Sequence, residues 1–330
     1  MAKYTPPFTL SNKTLTLVAK ISESIGRLTV QQEQAKLLRL RKVNRMKTVQ
    51  GSLAIEGSTL TQQQITAILD GKRVIAPPKE VQEAHNAINS YATITQWHPT
   101  TESHLLNAHL QMMTGLVKDA GMYRQDGVGV MSGEHVVHMA PQAERVPKLM
   151  AELLDWLETC DVHPLVASSV FHYEFEFIHP FSDGNGRIGR LWQTLILSKW
   201  HEVFINIPVE SMVFQHQEDY YAAIRQSTQK SDSAPFIEFM LQMIFDAITE
   251  AKSAGSEGLS DGLNEGLKLS PIDNVIMTLM EQDCYITNTQ LAEQSGKSQS
   301  TIERRIKRLK DAGLIKRIGA KKTGYWQLNH

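Results

Sequence analysis

At 330 residues the chain exceeds the usual size of one domain, so two domains are the natural expectation. Hydrophobic residues at 42 % and charged residues at 21 % suit a globular protein with a full core, and a net charge of −1 excludes a whole-molecule bias toward nucleic acid or membrane. Cys160 and Cys284 are too far apart for a disulfide framework or a zinc spacing, and no apolar run reaches signal-peptide or membrane-span length, so a reducing cytoplasm is the expected location.

Most of the chain reads as helix. The stretches 12–27, 30–50, 79–97, 101–117, 146–157, 163–178, 186–203 and 233–252 carry apolar residues at spacings of three and four. In 146–157 the apolar positions 146, 149, 150, 153, 154 and 157 define one helical face. Asp70-Gly71, after Ile65, Ile68 and Leu69, reads as a helix stop. Ser52 and Glu56 lie four apart on one face of a short helix end, with Gly57 as its C-cap. Residues 123–140 (YRQDGVGVMSGEHVVHMA) break the pattern, because alternating valines around a Ser-Gly turn predict a β-hairpin. Two strands alone are marginal in water, so the hairpin reads as a flap over a site, with Glu134, His135 and His138 as exposed flap residues rather than metal ligands. Residues 254–268 contain Gly255, Gly258, Gly262 and Gly266 and read as a flexible or weakly helical connector at a domain boundary.

The stretch that carries chemistry is His179-Pro180-Phe181-Ser182-Asp183-Gly184-Asn185-Gly186-Arg187-Ile188-Gly189-Arg190. Asp183 to Gly186 form a tight turn into a helix, and N–H groups at a helix start, approached closely at glycine, make an anion cradle. Arg187 and Arg190, three apart, share a face of the first helical turn and suit phosphate oxygens. Asp183 offers the hard carboxylate oxygen that a phosphate-bridging Mg²⁺ prefers. His179, at the loop mouth, can accept a proton from an incoming hydroxyl. Together these groups describe a phosphoryl- or nucleotidyl-transfer site.

This segment resembles the Fic motif, His-x-Phe-x-Asp/Glu-Gly-Asn-Gly-Arg-x-x-Arg, at every specified position. The resemblance implies a mainly α fold: a Fic-type helical bundle with a β-hairpin flap. It also implies transfer of AMP from Mg-ATP to a Tyr, Thr or Ser hydroxyl of a target protein aligned along the flap. His179 would be the base, Asp183 the Mg²⁺ ligand, and Phe181 the anchor of the nucleotide loop. Gly184, Asn185 and Gly186 would bind the α/β-phosphates, and Arg187 and Arg190 the β/γ end. Related toxin kinases carry lysine where Gly186 stands, so AMP transfer is favoured over phosphate transfer. Val130 and Met131 would be the flap residues nearest the nucleotide, and Tyr220 and Tyr221 would flank adenine. Thr228 departs from the asparagine that some relatives have. Ser52, Glu56 and Gly57 match the family's inhibitory pattern, so Glu56 would pair with Arg190 and misalign ATP. The same glutamate could orient water for removal of AMP. Relatives often form dimers, which makes a homodimer an expectation here.

The C-terminal part has its own pattern. Apolar residues at helical spacing in 271–280, helices over 287–296 and 298–309, and strands around 313–315 and 325–328 resemble a winged helix-turn-helix. Residues 297–322 hold ten Lys or Arg against Glu303 and Asp311, the footprint expected for DNA backbone contact. The expected organisation is a helical region 1–100 with the inhibitory helix around 46–57, a catalytic core 101–253, a linker 254–270 and a winged helix 271–330. A DNA-binding regulator with a sensory catalytic domain is the alternative reading.

Overall fold

A computed structural model describes residues 4–30, 34–127, 129–132, 135–257, 271–295, 299–311, 315–318 and 325–328. The chain divides into two compact units, Met1–Lys252 and Ser253–His330.

The larger unit is helical around one core. Its elements are α1 (Asn12–Val30), α2 (Gln34–Ile55), α3 (Gln62–Leu69), α4 (Pro78–Thr93), α5 (Glu102–Met113), a hairpin of β1 (Gly129–Ser132) and β2 (His135–Met139), α6 (Val146–Thr159), α7 (Pro164–Ile178), α8 (Asn185–Trp200), α9 (Val209–Gln215), α10 (Gln217–Lys230) and α11 (Ala234–Glu257). At the centre stand α7 and α8. Every residue of α7 from Leu165 to Glu176 is buried, as is α8 from Arg187 to Leu197, including the polar and charged His172, Glu174, Glu176, Arg187, Arg190 and Gln193. The loop joining them is the motif stretch, so the fold pins that loop at both ends by its two most buried helices. On α6, Val146, Met150, Leu153 and Leu154 are buried, and Leu149 and Leu157 pack against the core from its edge.

Several boundaries differ from the periodicity. Helix α2 runs past 50 to Ile55, so the helix end read at Ser52 to Gly57 is its last turn. It ends in a Schellman arrangement, with Gly57 at φ 89°, its N–H donating to Ala54 O at 2.9 Å and Ser58 N–H to Leu53 O at 3.1 Å. Helix α5 stops at Met113 instead of 117, where Gly115 turns the chain at φ 75°. Helix α11 runs on through Glu257, into the stretch read as connector, because one glycine costs only about 1 kcal/mol at the end of a long propagating helix. The rest of that stretch, 258–270, lies outside the described residues. In the hairpin, β1 and β2 pair antiparallel, Gly129 opposite Met139 and Ser132 opposite His135, with a bulge after Val130.

The smaller unit contains α12 (Pro271–Gln282), α13 (Asn288–Ser295), α14 (Gln299–Asp311) and the antiparallel strands β3 (Ile315–Ile318) and β4 (Tyr325–Leu328). Ile276, Met280, Ile286, Leu291, Ile302, Ile306, Leu309, Ile315 and Trp326 form its core. This is a helix-turn-helix with a two-stranded wing. No helix among the described residues is long and apolar enough to cross a membrane.

Candidate active site

The loop between α7 and α8 is built inward from Phe181. That ring is fully buried and lies flat on His109 of α5, with centroids 3.7 Å apart and planes 4° apart. The His109 ring in turn fixes the loop. Its Nδ1 accepts from the Gly121 N–H at 2.8 Å, so its proton sits on Nε2, which donates to the Asp183 carbonyl at 3.0 Å. Burial pulls the His109 pKa below its ordinary value, which keeps this neutral tautomer in place. Asn185 closes the loop from the other side: its Oδ1 accepts from the Phe181 N–H and its Nδ2 donates to the Phe181 carbonyl, both at 2.9 Å. The Asn185 side chain is thus spent on loop geometry and is 2 % exposed, so only its backbone N–H remains for an anion. Truncating Phe181 to alanine should lower stability by about 3–5 kcal/mol, read as a fall in Tm, because it removes a fully buried aromatic ring from beneath the loop.

His179 caps α7 in the left-handed region, at φ 51° and ψ 61°, which is strained for a residue with a Cβ. Arg124 holds it there. The Arg124 side chain is buried and donates from Nε to the His179 carbonyl at 2.7 Å and from Nη2 to the Pro141 carbonyl at 2.5 Å. Its backbone N–H donates to the Pro180 carbonyl at 2.9 Å. One guanidinium therefore ties both ends of the flap, residues 124 and 141, to the loop that carries His179. The His179 Nδ1 is buried, and no hydrogen-bond partner for it stands among the described residues.

Helix α8 opens on Gly184 at φ 84°, a conformation that favours glycine, and a Cβ there would meet the Met113 side chain at 2.6 Å. The first helical bond runs from Ile188 N–H to Gly184 O at 3.0 Å, leaving the N–H groups of 185–187 ahead of it. A carboxylate already lies over that opening. A Cβ on Gly186 would come 2.5 Å from Glu56 Oε1 and 2.9 Å from Arg190 Nη1. Arg190 Nη2 donates to Glu56 Oε1 at 2.6 Å and to the Ser52 carbonyl at 3.0 Å, while Arg190 Nε lies 3.4 Å from Ser52 Oγ. Arg190 is 3 % exposed. Burial disfavours its charge, but Glu56, with Tyr220 and Glu176, more than offsets that and holds the pKa above its ordinary value.

Arg187 is engaged differently. Its Nη2 donates to Asp183 Oδ1 at 2.9 Å and its Nη1 to Glu83 Oε1 of α4 at 3.2 Å. The Asp183 side chain is 46 % exposed, and its bonds from Arg187 and from the Gly184 N–H both fall on Oδ1. A half-exposed carboxylate at a helix-start anion cradle fits a Mg²⁺ held by one protein oxygen and substrate phosphates.

The tyrosines separate. Tyr220 is 2 % exposed, packs on Phe236 and Phe239, and lies with its hydroxyl 3.2 Å from His172 Nε2. It is a core residue and does not flank an open base site. Tyr221, one position on and so about 100° round the helix, is partly buried, with its hydroxyl 3.4 Å from Gln217 Nε2. Thr228 bonds Tyr173 at 3.1 Å. Side chains of Val130, Met131, Glu134, His135 and His138 lie outside the described residues; of the five, the backbone is described for Val130 and Met131 in β1 and His135 and His138 in β2. Sequence reasoning missed His109, Met113 and Glu83, and gave Arg124 no role, because each acts through a contact far along the chain.

In the smaller unit, the basic stretch is not uniformly outward. Arg305 Nη1 donates to the buried Asp273 at 3.4 Å, and Arg317 lies over the Trp326 ring at 4.7 Å. Lys310 and Lys316 are exposed, while the side chains of Lys297, Arg304, Lys307, Arg308, Lys321 and Lys322 lie outside the described residues.

The two innermost helices of the bundle thus bring a histidine, a turn-borne carboxylate, a glycine-bearing helix start and two arginines together at one loop. The Fic/DOC family model matches residues 99–197, and a winged helix-turn-helix DNA-binding model matches 269–316. The crystal structure of a Fic family protein from Desulfovibrio desulfuricans is 43 % identical and superposes with a TM-score of 0.76, covering 99 % of this chain and 98 % of that one. The chain belongs to the Fic family. Among curated proteins it is 31 % identical over 202 residues to the protein adenylyltransferase Fic of Nematostella vectensis, covering 57 % of this chain and 44 % of that protein. It is 26 % identical over 252 residues to the protein adenylyltransferase fic-1 of Caenorhabditis elegans, covering 72 % and 47 %. The chain thus spans about half the length of these curated relatives.

Proposed function

We propose that the protein is an adenylyltransferase, moving AMP from ATP to a hydroxyl of a target protein, and that Glu56 holds it in check. The observation that carries this reading is Glu56 Oε1 lying over the Gly186 cradle and 2.6 Å from Arg190 Nη2, where a phosphate anion would otherwise bind. Backbone N–H groups of 185–187 and the Arg190 guanidinium would take the ATP phosphates once the carboxylate moves. Asp183, freed from Arg187, would hold Mg²⁺, which supplies charge neutralisation between the phosphates. The target hydroxyl gives its proton to His179 and forms a bond to the α-phosphorus. The α–β bridging bond breaks, and pyrophosphate leaves.

Each strand of the hairpin has one edge without a partner strand among the described residues, which supports a target segment adding there by β-pairing. Arg124 ties that hairpin to the His179 loop, so an aligned hydroxyl would be presented to the base. With Glu56→Gly protein and ATP labelled at either the α- or the γ-phosphate, label should enter protein from the α-position only. Entry from γ would replace AMP transfer by phosphate transfer.

The winged unit supports a second role, contact with duplex DNA. Exposed Lys310 and Lys316 belong to its basic stretch, while Arg305 and Arg317 serve the unit's own packing. The full chain is expected to bind duplex DNA with an affinity that falls at least about tenfold between roughly 50 and 200 mM salt. Absence of binding at low salt would remove this role.

A further inference from the structure

Along α2, Asn44, Lys47, Gly51 and Ile55 recur at spacings of three and four, so they form one stripe of the helix. Every rung of that stripe meets the segment 206–217. Asn44 Nδ2 donates to the Asn206 carbonyl at 2.9 Å, and the Ser211 hydroxyl donates to the Lys47 carbonyl at 2.9 Å. At Gly51 the two backbones touch: an added Cβ would lie 2.7 Å from both Glu210 C and Ser211 N, and 2.8 Å from Glu210 O. At the last turn, Gln217 Nε2 of α10 donates to the Ile55 carbonyl at 2.8 Å. Ser52 and Glu56 are the positions next after Gly51 and Ile55, so they form the adjoining stripe about 100° round the helix. That stripe is the one that meets Arg190.

We infer that Gly51 and Gln217 are positioning residues for Glu56: by fixing how α2 is rotated and seated on segment 206–217, they aim its carboxylate at Arg190. The inference rests on the reading of Glu56 as a brake. Its physical basis is rigidity. Atoms in contact settle about 3.5–4.0 Å apart, so a methyl at position 51 must push α2 off α9 by roughly 1 Å, and backbone on the α9 side cannot swing away as a side chain would. A bond as short as that from Arg190 Nη2 to Glu56 Oε1, 2.6 Å, does not survive such a displacement intact. Gln217 acts at the end of the same lever, one residue before Glu56. Removing its amide frees the Ile55 carbonyl and the turn that carries the carboxylate. Neither residue belongs to the phosphate cradle, but Gln217 Nε2 also lies 3.4 Å from the Tyr221 hydroxyl, so the Glu56→Gly background is what separates an effect on the brake from an effect on the nucleotide site.

The test uses the full chain with Mg²⁺ and α-labelled ATP. Gly51→Ala should raise self-labelling by about a hundredfold, as expected for a 1 Å misplacement. Gln217→Ala should raise it by roughly three- to tenfold, as for one lost hydrogen bond. Placed in a Glu56→Gly background, each should change nothing further, since the element it positions is gone. A change of the same size in that background, or no rise in the single variants, would overturn the inference. Hydrogen exchange of the amides of residues 56–58 gives a readout that needs no activity. It should quicken in Gln217→Ala and in Gly51→Ala, and unchanged exchange would also overturn the seat. If Gly51→Ala does not fold, Gln217→Ala decides by itself. Should Glu56→Gly fail to label while exchange quickens as described, the fault lies with the AMP-transfer reading and the seat stands.

Discussion

Replacing Glu56 by glycine is expected to raise AMP transfer by about a hundredfold. The size follows from where the carboxylate lies. It does not merely neutralise Arg190 from a distance; it stands over Gly186, in the space where the proposed function puts an ATP phosphate. ATP entering beside it would hold its phosphates displaced by something near 1 Å, and displacement on that scale removes the in-line approach of the attacking hydroxyl. Glycine removes the carboxylate and every side-chain atom beyond Cα, leaving Arg190 with Ser52 as its partner from α2. The check is the initial rate of α-label incorporation, wild type against Glu56→Gly, at matched ATP. A rate that stays flat would mean the pair at 2.6 Å is structural and not inhibitory.

His179→Ala should have the opposite effect and should act whether or not the brake is present. Loss of a positioned general base lowers such a step by about 10²–10⁴-fold. The alanine would still be held in the left-handed conformation by Arg124 through its carbonyl, so the loop and cradle should persist. ATP binding by the Glu56→Gly,His179→Ala protein should therefore match that of Glu56→Gly, while transfer disappears. That split between binding and chemistry separates a base from a structural cap.

The motif loop was legible because its chemistry is local. Twelve consecutive residues hold the base, the carboxylate, the cradle and both arginines, and the flanking helices announce themselves by period. The Glu56–Arg190 pair was legible only through the resemblance to the family's inhibitory pattern, since two residues four apart before a glycine mark no more than a helix end, whose Gly57 does adopt φ 89°. What the sequence concealed are the supports that arrive from elsewhere. Arg124 reaches 55 residues along the chain to His179, His109 reaches 74 to Asp183, and Glu83 reaches 104 to Arg187. No spacing encodes such pairs. Tyr220 was read as a ligand-facing aromatic, but its position on α10 turns it into the core beneath Phe236, and only the packing of α10 decides which of two adjacent tyrosines faces in. The glycines of 254–268 suggested a flexible or weakly helical connector, and α11 extends into it through Gly255 to Glu257 on the length of helix already formed ahead of it.

The most direct test incubates wild type, Glu56→Gly, His179→Ala and the double variant with Mg²⁺ and α-labelled ATP, and follows label on the protein itself. The account predicts strong labelling of Glu56→Gly, weak labelling of wild type and none of either His179 variant. Equal labelling of wild type and Glu56→Gly, or labelling that survives loss of His179, would contradict it.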